Sequence, residues 1–180
     1  MRTTASWLQR FLAAVLLALP AAALAQQAQE HEVKAAFLYK FPAFIEWPVT
    51  PDASVPFVIA IVGAAELASE LRAITRGRLH EGRRIEVREP DAKSVQGADL
   101  VFVGRAAAAQ LPQIARATAE SPTLIVSEFA GALEQGSVIN FVLVDGRMRF
   151  EVAVEHAQAR RLGINARLLA LAYGLRGGRS

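Results

Sequence analysis

Three uninterrupted apolar runs most constrain what this chain can fold into. Phe57-Val-Ile-Ala-Ile-Val62 is apolar throughout and ends at Gly63. Asp99-Leu-Val-Phe-Val103 repeats the pattern before Gly104, and Thr123-Leu-Ile-Val126 is the third. A strand with one wet face alternates apolar and polar side chains, whereas a strand covered on both faces has no need to. These runs therefore belong in a sheet with helices on both sides. The segments between them have helical spacing. Leu67, Leu71 and Ile74 recur so within 64–75, as do Leu111, Ile114 and Ala115 within 106–119, where Pro112 marks the first turn. Arg84 to Arg88 alternates strictly and reads as a strand with one wet face, and Asp91 to Gln96 as a single helical turn. Strands alternating with helices imply right-handed parallel crossovers.

The pattern changes after Ser127. Val138–Val144 and Met148–Val154 are β-rich runs joined by Asp145-Gly146, the strongest hairpin signal in the chain. A helix is expected over Asn165 to Gly174, with Asn165 as N-cap, Gly174 as C-cap and Leu168, Leu171 and Ala172 on its apolar face. The fold class is α/β: a three-layer sandwich with a mixed, mostly parallel sheet and a C-terminal antiparallel hairpin.

The first 25 residues read as an export signal. Arg2 and Arg10 make a positive n-region, Phe11 to Leu19 a short apolar core, and Ala23-Leu24-Ala25 a small-x-small cleavage site. Cleavage is expected after Ala25, with no membrane insertion thereafter, which places the product in the periplasm. Residues 26–176 then form a single domain and 177–180 a disordered tail. The signal holds two of the twenty Lys and Arg and none of the seventeen Asp and Glu, so the remainder is nearly neutral. Its basic residues are dispersed, which argues against a nucleic-acid surface. With no cysteine in the chain, disulfides, thiolate metal sites and thiol chemistry are excluded.

The aromatic residues crowd into Val33–Pro48, VKAAFLYKFPAFIEWP. Val33, Phe37, Phe41 and Phe44 fall on one helical face, Ala36 and Ile45 widen it, and Lys34 and Lys40 lie off it. Pro42 should bend or break this helix near Leu38, and Gln26 to Glu32 before it reads as a frayed polar lead. The stripe suits packing on the domain's own core. A Trp beside an acid at a helix exit suits either core or an exposed partner anchor. Catalytic equipment is sparse. His31, His80 and His156 are scattered without metal-binding spacing, and no nucleophile elbow or phosphate loop is present. Gly63 and Gly104 follow buried strands where α/β folds bind ligands, but neither opens a GxGxxG motif. Asp99 and Glu151 read as structural or solvated. No catalytic, cofactor-binding or metal-ligating residue is assigned; a hydrolase would need Ser127 beside a base, which no spacing supports.

Read together, several blocks resemble the YfiR family of periplasmic proteins. Lys34-Ala-Ala-Phe-Leu-Tyr39, Phe41, Phe44 and Glu46-Trp47-Pro48 resemble its opening signature. Ile61-Val62-Gly63, Gly82-Arg83-Arg84-Ile85-Glu86-Val87, Leu100–Val103 and Thr123–Ser127 resemble its strands, and Gly136–Phe141, Arg147–Glu151 and Leu168–Ala172 its closing hairpin and helix. The resemblance implies a non-enzymatic regulator that restrains a membrane diguanylate cyclase through its periplasmic domain, lowers cyclic di-GMP and opposes biofilm growth. It also implies pairing of the protein with itself. The alternative membrane partner is a sensor kinase. The expected contact residues are Tyr39, Phe44, Glu46 and Trp47. The alternative is a small-ligand sensor acting with a histidine kinase or transporter, its ligand at the Gly63 and Gly104 strand ends. Two departures stand out: Ala98 replaces a cysteine common in the family, so disulfide control is absent, and Ala153 replaces a common Asn.

Overall fold

The computed structural model describes residues 27–176, so the expected signal peptide and C-terminal tail lie outside the described residues. One eight-stranded sheet organises the chain. In chain order its strands are β2 (Phe57–Val62), β3 (Leu79–His80), β4 (Arg83–Arg88), β5 (Leu100–Val103), β6 (Leu124–Ser127), β7 (Ile139–Val144), β8 (Arg147–Ala153) and β10 (Gly174–Arg176). Across the sheet the order is β10-β8-β7-β6-β5-β2-β4-β3. β4, β2, β5, β6 and β7 pair in parallel, and β3–β4 and β7–β8 are antiparallel. A separate two-stranded ribbon joins β1 (Ile45–Glu46) to β9 (Gly163–Ile164).

The uninterrupted apolar runs are buried on both faces, as expected. Phe57, Ile59, Ile61, Leu100, Phe102, Leu124 and Val126 face one core together with residues of helix α1 (27–40), α2 (Ala65–Thr75), α4 (Val154–Ala159) and α5 (Ala166–Leu171). Val58, Ala60, Val62, Val101, Val103 and Ile125 face the other, against α3 (Leu111–Ala117) and the 3-10 turn Arg105–Gln110 before it. The sandwich thus has three layers. Asp145 and Gly146 both take positive φ, 48° and 69°, and close the β7–β8 hairpin between Val144 and Arg147.

Five expectations are corrected. The lead before Val33 is helical, because α1 begins by residue 27 and includes His31. Pro42 leaves α1 intact past Leu38; the α-helix runs to residue 40 and Pro42 sits in the first turn of a 3-10 segment, Phe41–Phe44. The fully buried face of α1 is Lys34, Ala35, Leu38 and then Phe41, while Phe37 and Phe44 pack from its flank. Finally, α5 ends at Leu171. Asn165 does cap it, accepting from the Arg167 amide at 2.9 Å, and Leu168 is buried, but Leu171 is 64% exposed. Gly174 opens a strand where a helix cap was expected, because β10 finds a parallel partner in β8. Asp91 to Gln96 forms turns, not a helical turn.

Candidate partner-binding surface

A buried ion pair fixes one end of the sheet. Arg83 donates to both carboxylate oxygens of Asp99 at 2.9 Å, to the Val55 carbonyl at 3.0 Å and to the Pro56 carbonyl at 2.7 Å. Asp99 also accepts from the Val58 amide at 2.7 Å. Three strands, β2, β4 and β5, are therefore pinned at one node. The guanidinium carbon lies 5.2 Å from the Phe57 ring centroid, within cation–π range. Because Arg83 begins β4, the node also sets the position of β3 and of the turn joining them.

The aromatic exit of α1 packs beside that edge. Tyr39 is half-buried, with the Arg78 guanidinium 5.0 Å from its ring centroid and 3.4 Å from its hydroxyl. The Phe44 carbonyl accepts from the Asn165 amide at 2.9 Å, and Phe44 rests half-buried on the core. Glu46 is exposed and pairs across the ribbon with Gly163. Trp47 is half-buried. Its indole donates to the Pro122 carbonyl at 2.8 Å, and its ring meets Phe57 and His80 edge-on at 5.5 and 5.9 Å. The sequence-derived residues Tyr39 and Trp47 thus lie on one face beside β3, touching Arg78 and His80 respectively, while Leu79 points to the opposite face with Arg84 and is 60% exposed. Burial, partly offset by Glu81 and reinforced by Arg83, holds the His80 imidazole below its ordinary value, which favours the neutral ring.

Arg78, Leu79 and His80 were not among the residues expected to form a site. Arg78 looks like a helix stop and His80 like a loop histidine when the chain is read alone. A concentration of arginines from Arg76 to Arg84 was the one available signal.

At the carboxyl ends of β2, β5 and β6 lies a second polar cluster. Lys34, expected to lie off the buried face, is 2% exposed. Its ammonium donates to Glu30 on its own helix and to Glu128 just after β6. The Arg105 amide donates to Glu128 at 3.1 Å. Burial opposes the charged form of Glu30, but the Lys34 hydrogen bond and the charges of Lys34, Arg105 and His31 override it and hold the carboxyl below its ordinary value. A cleft of about 440 Å³ opens here, lined by Glu30, His31, Lys34, Gly63, Ala64 and Arg105 among others. Gly63 and Gly104 themselves touch: a Cβ on Gly104 would sit 2.4 Å from the Gly63 carbonyl oxygen.

Ser127 is fully buried at the end of β6. Its hydroxyl lies 2.8 Å from that of Ser137 and 2.9 Å from the Asn140 side-chain oxygen. His156 instead sits 3.0 Å from the Ser137 carbonyl, so no imidazole reaches Ser127 as a base. Among the described residues no group of three His, Cys, Asp or Glu could hold a metal ion, and no helix is long and apolar enough to cross a membrane. Ala98 is buried, and its carbonyl accepts from the Thr123 hydroxyl at 2.9 Å.

A family model described as YfiR/HmsC-like matches residues 31–173. No curated protein sequence matches the chain. Two solved structures share the fold at low identity. A conserved domain protein from Vibrio cholerae O1 biovar El Tor superposes with a TM-score of 0.60 at 11% identity, over 81% of this chain. The ABC domain in complex with L-Trp from Streptococcus pneumonia gives 0.55 at 10% identity, again over 81% of this chain. The chain spans 60% of the length of each of them.

Proposed function

Because the chain belongs to the YfiR/HmsC-like family of periplasmic regulators of diguanylate cyclases, we propose that it works by contact with a membrane signalling protein and transforms nothing itself. The contact is with the periplasmic domain of an inner-membrane diguanylate cyclase, which it holds inactive, so lowering cyclic di-GMP; a sensor kinase is the other membrane partner of suitable design. The working form is exported, loses its signal after Ala25 and pairs with a second copy of itself.

The observation that carries this reading is the stripe on the β3 edge. Tyr39, Arg78, His80 and Trp47 share one face there, with Phe44 and Glu46 just before Trp47 in the chain, while Leu79 points to the opposite face with Arg84. Trp, Tyr and Arg are the residue types that dominate the energetics of protein interfaces. The Arg83–Asp99 node makes the stripe rigid before any partner arrives, which reduces the ordering cost of binding.

The test is a paired substitution, Tyr39→Ala with Glu46→Lys, which spares the Trp47 hydrogen bond and should leave the fold intact. Cells carrying it should show cyclic di-GMP raised toward the level of the deletion strain. A folded double variant that restrains the cyclase as well as the wild type would exclude this surface.

A second reading rests on the cleft beside Lys34 at the strand ends, where sheets of this kind take ligands. It makes the protein a small-ligand sensor working with a histidine kinase or a transporter. A periplasmic metabolite that raises Tm in the wild type, and fails to do so in Arg105→Ala, would favour it.

A further inference from the structure

A row of polar positions crosses the sheet at the end of β6. Ser127 of β6 lies beside Asn140 of β7, Asn140 opposite Glu151 of β8, and Glu151 beside Gly174 of β10. Residues paired in this way share one face of the sheet. The side-chain oxygen of Asn140 accepts from the Phe129 amide at 3.1 Å. A backbone N–H only donates, so the Asn140 amide is fixed with its oxygen toward Phe129 and its Nδ2 turned away. Asn140 is 3% exposed, yet no group among the described residues accepts from that Nδ2. No enclosed side-chain nitrogen or oxygen among them lacks a partner, so Nδ2 opens onto the cleft that Asn140 lines.

That cleft has a volume of about 510 Å³ and lies between this end of the sheet and the segment 129–134. Two of its carboxylates are occupied, Glu128 by Lys34 and the Arg105 amide, and Glu134 by Arg176 at 3.5 Å. The Arg105 guanidinium at the rim is turned toward Glu30, at 3.9 Å. Glu151 is half-buried, and its carboxylate has no hydrogen-bond or ion-pair partner among the described residues. What remains is an amide donor beside a carboxylate, on strands whose opposed Cα atoms are about 4.5–5.5 Å apart. A ligand group that satisfies both must accept from Asn140 and donate to Glu151. A hydroxyl does so with a single oxygen. An ammonium accepts nothing and would leave the Asn140 amide unpaired, while a carboxylate donates nothing and would be repelled by Glu151. Phe129 and Leu133 supply an apolar wall against which the C–H face of a ring can rest.

We propose that this cleft binds a neutral saccharide, one of whose hydroxyl groups bridges Asn140 and Glu151. The site is remote from Tyr39 and Trp47 in the sheet order and shares only the rim residues Arg105 and Glu128 with the cleft beside Lys34. It therefore stands or falls apart from both readings above.

The test is heteronuclear NMR of the protein purified after export, titrated with glucose, N-acetylglucosamine and a soluble cell-wall glycan fragment. The expected result is a saturable shift of the Asn140 side-chain amide and the Glu151 backbone amide at millimolar sugar. Shifts with the free sugars alone make the ligand a dissolved sugar, and shifts with the fragment alone make it the cell wall; either supports the site. Glu151→Gln keeps the side-chain shape and breaks no pairing within the protein, so its Tm should match the wild type. It should weaken binding by about tenfold or more, because a hydrogen bond to an ionised acceptor is the stronger kind. The proposal is overturned if no sugar moves these resonances or if Glu151→Gln binds as tightly as the wild type. It is equally overturned if glycine or an uncharged capped dipeptide moves them at lower concentration than any sugar.

Discussion

Arg83 and Lys34 are both buried cations, and the sequence treated them differently. Arg83 stands just before the alternating run Arg84 to Arg88, and Asp99 at the head of an apolar run reads as structural or solvated. Their pairing at 2.9 Å makes Asp99 structural, one of the two alternatives the sequence left open. Lys34 is the opposite case. Helical spacing puts it off the aromatic stripe, and the carboxylate that draws it inward lies 94 residues away in Glu128. No periodicity can signal such a partner. The Arg83 node yields the residue-scale prediction. Arg83→Met should lower unfolding free energy by about 3–5 kcal/mol, since removing one partner strands a buried charge on the other. Urea denaturation measures it. Arg83→Lys should recover only part of the loss, because an ammonium cannot reproduce the fork that grips Asp99 and two carbonyls.

At the scale of elements, those with strong local signals were legible and those held by distant pairing were not. The buried strands, the Asp145-Gly146 hairpin, the Pro112 start of α3 and the Asn165 cap each follow from nearby residues. β3, β9 and β10 are two or three residues long, and what makes each a strand is its neighbour in space. Gly174 illustrates the difference: a glycine after an apolar helical run suggests a cap, yet parallel pairing with β8 claims it. The candidate surface suffered for the same reason, since Tyr39 and Trp47 were found by composition but the strand between them was not. The contact between the turns after β2 and β5 is similarly non-local. With only 2.4 Å between a Cβ at Gly104 and the Gly63 oxygen, Gly104→Ala must push the two strand ends apart. Overpacking of this kind should cost about 1–3 kcal/mol, read as a lowered Tm by calorimetry. A Tm equal to that of the wild type would mean the two turns can separate freely.

For the whole molecule, both cores share one sheet, so loss of either should unfold the other. Cleavage after Ala25 would remove Trp7 and leave Trp47 as the sole tryptophan, a reporter seated on Pro122 and Phe57. The acid limb of stability should then be visible in its fluorescence. His80 is held below its ordinary value, so the unfolded chain binds the proton more readily. Stability is complete above about pH 6.5 and falls as pH drops from there through the folded value. Glu30 adds a second loss of the same sign below about pH 4.3, since its folded carboxyl also titrates lower than the unfolded one. His80→Phe should abolish the first step and keep the second; persistence of both would assign the first to another group. The two free margins of the sheet are brief, two residues in β3 and three in β10. A visiting chain gains a rung or two there, each worth about 0.5–1.5 kcal/mol net. Margins so short neither seed fibres nor grip permanently.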